Sequence, residues 1–216
     1  MKQVIGLGAG GHAKVVAEIL KLSGDYEVVG LLDPRQELWN TEVLGIPVMG
    51  DDTLLPELYN RGIHCAFIGL GTVGDTQPRR RLYEKVCQQG FQVVPAIHPR
   101  AVVAPSVKIG NGPTIMAGVV VNADAQLGDN VIINTGVIVE HDCVVGSHVH
   151  IATGAQLAST VHVGEGTHVG LGASIRQRIR IGRNAIIGAG AVVVDDVPDN
   201  VVVVGMPAQV LKKEWE

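Results

Sequence analysis

The sequence contains few aromatic residues and few cysteines. Only 3% of its 216 residues are Phe, Trp or Tyr, so a core built on aromatic rings is not expected. The three cysteines, Cys65, Cys87 and Cys143, are odd in number and lack C-x-x-C spacing. This pattern argues against a disulfide framework or a zinc knuckle and fits a reducing compartment such as the cytoplasm.

Charge and hydropathy exclude further classes of protein. The formal net charge is −4, from 17 basic and 21 acidic residues, which favours neither nucleic acid nor an anionic membrane as a partner. No run of about 18 apolar residues occurs, so a transmembrane helix is not expected. Glycines interrupt the apolar stretch after Lys2, which is typical of a buried strand and turn and not of a signal peptide.

The sequence is rich in glycine, with 28 residues, and it carries a repeat of six residues. From Val103 to Val193 every sixth residue is Val, Ile or Leu, and four residues after each of these a mostly small or branched residue recurs. A period of six fits neither an α-helix nor an ordinary strand and predicts a solenoid of short strands and turns. Glycine often follows the aliphatic residue, as at Gly128 and Gly146, where a side chain would be in the way.

Residues 1–97 alternate between strand and helix patterns, which predicts a parallel βαβ domain. The first strand runs into Gly6-Leu7-Gly8-Ala9-Gly10-Gly11, a G-x-G-x-x-G turn before a helix, and Asp33 ends the next strand. Amides at the helix start would face a phosphate, and Asp33 could bind a ribose or sugar hydroxyl. Only one βαβαβ half fits before the repeats, which favours a ligand of mononucleotide size. An NAD-dependent dehydrogenase and glycines that serve only strand–helix packing remain alternatives.

The turn G-x-G-x-x-G-H, the stretch IHPRAVVAPSVKIG and the unbroken hexads together resemble the sialic acid O-acetyltransferase and UDP-4-amino-sugar N-acetyltransferase family over essentially the whole chain. The stretch INTGVIVEHDCVVGSHVHIATGA is most similar to the bacillosamine- and perosamine-type N-acetyltransferases. The resemblance implies an α/β half-Rossmann domain that binds a nucleotide sugar (residues 1–97) and an all-β left-handed parallel β-helix of hexapeptide repeats that binds acetyl-CoA (98–200). It also implies a C-terminal tail with a short helix (201–216).

The function that the resemblance implies is transfer of an acetyl group from acetyl-CoA to the 4-amino group of a nucleotide-linked 4-amino-4,6-dideoxy sugar. The product would enter bacterial surface glycan or glycoprotein biosynthesis. The family also implies a cytoplasmic homotrimer with clefts between neighbouring β-helices, and no metal. O-acetylation of sialic acid or another sugar is the alternative within the family, and the nucleotide, UDP, GDP or dTDP, is left open.

In this family a histidine followed by an acidic residue is the general base, and His141 and Asp142 match those positions. A sugar ammonium must lose a proton before its nitrogen attacks a thioester, and an imidazole accepts protons near neutral pH. The carboxylate would orient the ring. Ser159 stands where relatives often have a glycine whose amide faces the thioester oxygen.

The remaining site residues are also implied by the resemblance. Three match family positions that contact acetyl-CoA: His150, Leu171 and Ala189. Six match positions that contact the nucleotide sugar: Gly10, Gly11 and His12 at the phosphates, Asp33 and Gly71 at the nucleoside, and Asn134 at the acceptor sugar of a neighbouring subunit.

The other histidines of the repeat region are expected at the surface, namely His148, His162 and His168. His168 should lie one coil from His150 on the same face. A γ-class carbonic anhydrase shares the β-helix, but its His-x4-His pair is absent, since His141, His148 and His150 are seven and two residues apart. A non-catalytic scaffold or sugar-nucleotide sensor is the remaining alternative.

Overall fold

The computed structural model describes residues 1–213, which fall into two compact units. The first unit comprises Met1–Gly71 and Pro78–Pro99, and the second comprises Thr72–Gln77 and the chain from Arg100 onward. The sequence predicted one boundary near residue 97. In the structure a short segment, Thr72–Gln77, also packs with the second unit although it lies within the first in sequence.

The first unit is a mainly parallel sheet with helices. Its order is β3-β4-β2-β1-β5-β6, and β3 alone pairs antiparallel among these strands. Buried apolar residues such as Ile5, Leu7 and Ile68 run along β1 and β5, as expected for strands covered on both faces. The strands are β1 (Lys2–Leu7), β2 (Tyr26–Leu32), β3 (Glu42–Val43), β4 (Ile46–Gly50), β5 (Cys65–Ile68) and β6 (Gln92–Val93), followed by β7 (Ala96–Ile97). The helices are α1 (Gly11–Ser23), α2 (Leu55–Asn60) and α3 (Gln77–Gln88), with 3₁₀ turns at Gln36–Leu38 and Asp52–Leu54.

Asp33 ties the glycine turn after β1 to the end of β2. Its Oδ2 accepts hydrogen bonds from the Ala9 amide (2.8 Å) and Arg35 Nη2 (2.9 Å). Its Oδ1 accepts from the amide (3.0 Å) and Nε (2.8 Å) of Arg35. The hydrogen bonds from Arg35 lower the pKa of the Asp33 carboxyl from 3.8 to about 2. All four acceptor positions of this buried carboxylate are therefore occupied by the protein itself.

The second unit is a parallel β-helix in which every coil consists of three hexads. Each strand pairs with the strand three hexads further along, as in Val120 with Ile138 and Val144 with His162. The sixteen two-residue strands are β8 (Val102–Val103), β9 (Lys108–Ile109), β10 (Thr114–Ile115), β11 (Val120–Val121), β12 (Gln126–Leu127), β13 (Ile132–Ile133), β14 (Ile138–Val139), β15 (Val144–Val145), β16 (His150–Ile151), β17 (Gln156–Leu157), β18 (His162–Val163), β19 (His168–Val169), β20 (Ser174–Ile175), β21 (Arg180–Ile181), β22 (Ile186–Ile187) and β23 (Val192–Val193). The predicted fold class, a half-Rossmann α/β domain followed by a hexapeptide-repeat β-helix, is confirmed.

The strands stack into three faces. Face one contains β10, β13, β16, β19 and β22, face two contains β8, β11, β14, β17, β20 and β23, and face three contains β9, β12, β15, β18 and β21. From Ile115 to Val193 every sixth residue is buried, and so is the residue four positions after each up to Ala191. A Cβ on Gly128 would lie 2.5 Å from the Ser147 amide of the next coil, which explains why glycine follows the aliphatic residue there.

The three corners of the β-helix each carry a column of residues in the left-handed backbone conformation. The glycine corner, between faces one and two, contains Gly118, Gly136, Gly154, Gly172 and Gly190. The His141 corner, between faces two and three, contains Asp124, Asp142, Thr160 and Arg178. The third corner contains Asn130, His148, Gly166 and Asn184. Residues separated by three hexads therefore occupy equivalent places on successive coils.

The expected C-terminal helix is wrong for the described part of the tail. Val201–Val204 forms β24, and Gln209–Lys213 forms β25, which pairs antiparallel with β24. The run of β-branched valines pairs in register with β22 and so extends face one, which covers an otherwise open sheet edge. Residues 214–216 lie outside the described residues.

Asp33→Asn is expected to destabilise the first unit in a pH-dependent way. Because the folded-state pKa is depressed, the carboxylate stabilises the fold above about pH 4, and this contribution disappears as the pH falls through about 2. The shift corresponds to about 2 kcal/mol of unfolding free energy at neutral pH. Urea unfolding followed by Trp39 fluorescence, in a Trp215→Phe background, measures it. A parent–variant difference that stays constant from pH 7 to pH 2 would contradict the assignment.

Candidate functional site

A cleft of about 720 Å³ opens beside the glycine turn of the first unit. Five residues that the sequence assigned to nucleotide-sugar binding line this cleft together: Gly10, Gly11, His12, Asp33 and Gly71. They come from the β1–α1 turn, the end of β2 and the loop after β5. The parallel topology brings these three places to one edge of the sheet, where ligands bind in open α/β folds.

The glycines of the turn serve two different purposes. Gly8 has φ +107°, and a Cβ there would lie 3.0 Å from the backbone of Gly69, so this glycine is needed for packing. A Cβ on Gly10 or Gly11 would meet no atom within 4 Å. The space in front of the α1 N-terminus is therefore open, and its amides can face an anion.

The contact between Asp33 and a ribose hydroxyl stays a prediction, because in this arrangement Ala9 and Arg35 already occupy the carboxylate oxygens. Arg35 must move before Asp33 can accept a ligand hydrogen bond. Arg35 itself lines the cleft with a side chain that is half exposed. Sequence reasoning missed it, although its position three residues after the end of the parallel strand β2 was a usable signal.

Helix α3 supplies one wall of the cleft with the helical spacing 78, 81, 82 and 85. Lys85 on this wall pairs with Asp52 at 2.6 Å. Arg81 is exposed, and within residues 1–213 it has no ion-pair partner. It is therefore a cleft cation that can meet an anionic ligand, and the sequence analysis did not single it out.

His141 and Asp142 lie together at the His141 corner of the β-helix. The Nδ1 atom of His141 is 2.7 Å from Oδ2 of Asp142, and both side chains are 55% exposed. Asp142 reaches this position because its backbone is left-handed, with φ 59°, a conformation that Asp tolerates better than most residues. A carboxylate that accepts from Nδ1–H leaves the lone pair on Nε2, so the ring presents a base to the outside.

The other predicted residues of the β-helix are divided between the His141 corner and the glycine corner. Ser159 is one coil from His141 in the same corner, and the Thr160 amide donates to the His141 carbonyl at 3.0 Å. Leu171 and Ala189 instead lie at the glycine corner, beside Gly172 and Gly190, and both are exposed. The two corners flank face two on opposite edges. Within one chain, His141 and the pair Leu171 and Ala189 therefore do not meet.

His150 is buried beneath the segment Thr72–Gln77. Its Nδ1 is 3.0 Å from the Thr72 carbonyl and 3.0 Å from the Thr72 hydroxyl. Its Nε2 is 3.3 Å from Nδ2 of Asn134, whose Oδ1 accepts from the Thr135 amide. A carbonyl only accepts, so Nδ1 carries the proton and Nε2 accepts from Asn134. Both ring nitrogens and the Asn134 amide are thus engaged inside the protein.

The expectation that His148 and His168 are surface residues is wrong. His148 is 9% exposed and its Nδ1 is 3.0 Å from Nδ2 of Asn130. His168 is 8% exposed, and its burial lowers its pKa. The segment Thr72–Gln77 packs against this part of the β-helix, since Thr72 covers His150 and the Thr76 hydroxyl donates to the Gly166 carbonyl at 2.8 Å. His162 is partly buried.

The predicted stacking of His168 on His150 is confirmed. The two residues are register partners on adjacent strands, and their ring centroids lie 4.9 Å apart in an edge-on arrangement. Across residues 1–213, no three His, Cys, Asp or Glu side chains converge on a possible metal position. Over the same described range, no helix is long and apolar enough to cross a membrane.

Comparisons with known proteins match both units. Residues 3–86 match the PglD N-terminal domain family, and residues 106–141 and 124–159 match the bacterial transferase hexapeptide (six repeats) family. UDP-N-acetylbacillosamine N-acetyltransferase of Bacillus subtilis (strain 168) is 36% identical over 123 residues, or 54% of this chain and 52% of that protein. The match thus spans about half the length of this curated relative.

Two solved structures align with nearly the whole chain. The H141N variant of perosamine N-acetyltransferase from Caulobacter crescentus, in complex with CoA and GDP-perosamine, is 43% identical over 98% of both chains, with a TM-score of 0.90. The acetyltransferase domain of PglB from Neisseria gonorrhoeae FA1090, in complex with acetyl coenzyme A, is 40% identical over 97% of this chain and 99% of that chain, with a TM-score of 0.90. The resemblance noted from the sequence is confirmed. The chain therefore belongs to the family of acetyl-CoA-dependent sugar N-acetyltransferases that includes perosamine N-acetyltransferase and the PglB acetyltransferase domain.

Proposed function

We propose that this chain transfers the acetyl group of acetyl-CoA to the 4-amino group of a nucleotide-linked 4-amino-4,6-dideoxy sugar, with His141 as the general base. The observation that carries the proposal is the 2.7 Å contact between His141 Nδ1 and Asp142 Oδ2 at an exposed corner. In support, perosamine N-acetyltransferase aligns with this chain end to end, and both its H141N and its H141A variants have been solved with CoA and GDP-perosamine.

The chemistry needs one base and no acyl-enzyme. The sugar amine loses a proton to Nε2 of His141 as its nitrogen attacks the thioester carbonyl carbon, and Asp142 stabilises the imidazolium that forms. The tetrahedral intermediate then collapses, the C–S bond breaks, and the CoA thiolate takes up a proton. The Ser159 amide, one coil from His141, is the candidate donor to the oxyanion.

The two substrates bind at different places in this proposal. The cleft beside the glycine turn holds the nucleotide, with Gly10, Gly11 and His12 at the phosphates and Arg81 as an additional cation. The β-helix holds acetyl-CoA, with Leu171 and Ala189 along the channel. His150 is the third residue assigned to acetyl-CoA, and its ring nitrogens are engaged by Thr72 and Asn134 before the ligand binds.

The same proposal includes a homotrimer that works in the cytoplasm, where acetyl-CoA and nucleotide sugars are available. His141 and the pair Leu171 and Ala189 lie on opposite edges of face two, so one chain alone cannot bring them to one thioester. A second copy that presents its glycine corner to the His141 corner of the first solves this problem. Three such contacts close a ring.

His141→Ala is expected to reduce turnover by about 10²- to 10⁴-fold, because the base is removed from an exposed corner that does not support the core. Asp142→Asn should cost less, since the ring remains but loses its orienting acceptor. The matched control is His162→Ala, a partly buried histidine of the same β-helix. Release of CoA from acetyl-CoA with a panel of nucleotide-linked amino sugars measures all three. Activity of His141→Ala within a few-fold of the parent would refute the assignment.

Gly11→Val is expected to weaken the binding of nucleoside diphosphates at least tenfold while leaving acetyl-CoA affinity unchanged. The added side chain enters open space in front of α1, so it blocks the phosphate position without disturbing the fold. Glu18→Val places the same residue on an exposed position of α1 and serves as the control. Calorimetry with UDP, GDP, dTDP and NAD measures the affinities. Micromolar binding of NAD without binding of any nucleoside diphosphate would favour the dinucleotide alternative.

Mixed oligomers test whether the site is shared between copies. In light scattering the assembly should have three times the mass of one chain, which is 22.7 kDa. His141→Ala and Ala189→Arg should each be inactive alone. Co-expressed at equal levels, they should recover roughly a quarter of parental activity, because a cleft with two intact contributors forms in one pairing out of four. No recovery in confirmed mixed trimers would refute a site that is shared between copies.

A further inference from the structure

Arg79 is a fully buried arginine with no acidic partner among the described residues of the first unit. It is 3% exposed, and its Nη1 donates to the carbonyls of Ile68 (2.8 Å) and Leu70 (2.7 Å) at the end of β5. Within residues 1–213, its Nε and Nη2 atoms are buried and have no hydrogen-bond partner. Burial lowers the pKa of Arg79 to about 9, so the guanidinium is still charged at neutral pH.

A lone buried charge is costly for a fold, and an apolar side chain of similar volume would fill the same space without that cost. Packing therefore does not explain an arginine at position 79. The two carbonyls that it binds take only part of its five N–H donors. The residue stands directly behind two residues of the cleft wall, Leu70 and His12.

The contact with His12 has a definite chemical consequence. Arg79 Nη1 lies 3.3 Å from Nε2 of His12, and a guanidinium can only donate. The two hydrogens of Nη1 are shared among three acceptors, so this hydrogen bond is the weakest of the three. The charge of Arg79 nevertheless acts on His12, because a cation that faces Nε2 disfavours a proton on that nitrogen. His12 is thereby held as the Nδ1–H tautomer.

The position of His12 is also restricted from the other side of the ring. A Cβ on Gly71 would lie 3.2 Å from Cβ and 3.5 Å from Cγ of His12, so a larger residue there would push the His12 side chain by a few tenths of an ångström. The imidazole is thus held between Gly71 and Arg79 at the edge of the cleft.

We infer that Arg79 is a positioning residue for the nucleotide: it fixes His12 as the Nδ1–H tautomer, which donates to a phosphate oxygen, and it places a positive charge behind the glycine turn. This inference rests on the proposed binding of a nucleoside diphosphate in the cleft. It explains both the unpaired buried charge and the direct contact with His12. A bound diphosphate supplies the negative charge that the described residues do not place near Arg79.

The first test is the tautomer of His12, which a purely structural role of Arg79 would not affect. Long-range ¹H–¹⁵N correlation spectra of protein labelled with ¹⁵N-histidine should show His12 protonated at Nδ1 in the parent, with the signal assigned through His12→Gln. In Arg79→Met the population should shift towards the Nε2–H form. A parent His12 protonated at Nε2 would overturn the inference.

The second test is a double-mutant cycle on nucleotide affinity. Arg79→Met should weaken the binding of UDP, GDP and dTDP by about 10- to 100-fold, as expected for loss of a charged hydrogen-bonding group. In a His12→Ala background the same change should cost clearly less, because the part of its effect that passes through His12 is already absent and only the charge behind the glycine turn is lost. An equal loss in both backgrounds would contradict the inference. Arg61→Met, which removes an exposed guanidinium outside the cleft, is the control.

Stability separates this role from a structural one. Arg79→Met should unfold at the same temperature as the parent or higher, because it removes an unpaired buried charge. If Arg79→Met does not fold, Arg79→Lys keeps a charge and one donor and should show an intermediate loss of affinity.

Binding of nucleoside diphosphates by a parent that acetylates no sugar would refute the proposed function and leave this inference standing. If Arg79→Met left acetylation unchanged, the proposed function would stand and this inference would be refuted.

Discussion

The backbone hydrogen bonds between successive coils are the constraint on which the β-helix depends. Each coil donates to the next from equivalent positions, as in the bonds from Val120 to Val137 and from Ile138 to Ala155. This register places small and branched side chains inside, and on face three it places glycine at the close backbone approach between coils, as at Gly128 and Gly146. The register does not slip between β8 and β23. Residues that are eighteen positions apart in the sequence therefore occupy equivalent places on successive coils.

This regularity explains why so much of the second unit could be predicted from the sequence. The period of six identified the inward positions, and the repeat of three hexads placed His168 against His150. The burial of these two histidines could not be predicted in the same way. The cover of His150 is Thr72–Gln77, a segment that precedes the β-helix in the chain, and nothing in its own sequence indicates where it packs. The helix expected in the tail failed for a related reason, since Gln209–Lys213 pairs antiparallel with β24, a partner that its own sequence does not indicate.

The first unit shows a different limit of sequence reasoning. The G-x-G-x-x-G turn and Asp33 line one cleft, and ligand binding there stays a prediction. The partners of Asp33 were not foreseen, because the dinucleotide pattern assigns its carboxylate to a ribose, whereas here Ala9 and Arg35 occupy it. The motif thus predicts which residues line the cleft better than it predicts their hydrogen-bond partners. Sequence reasoning did not single out Arg79, because the run Arg79-Arg80-Arg81 is typical of a solvated helix face. Only the burial of Arg79 in the structure distinguishes it from its neighbours.

Three histidines of this chain share one protonation pattern but differ in chemistry because of their surroundings. The carboxylate of Asp142 and the carbonyl of Thr72 each accept from Nδ1 of a histidine, His141 and His150 respectively, and the cation of Arg79 keeps Nε2 of His12 unprotonated. Nε2 of His150 is then engaged by Asn134, and Nε2 of His12 faces a guanidinium. Of the three, His141 is the one whose basic nitrogen points away from its partner at an exposed corner. A histidine can act as a general base only where its lone pair reaches the substrate, so the accessible Nε2, and not the tautomer alone, distinguishes His141.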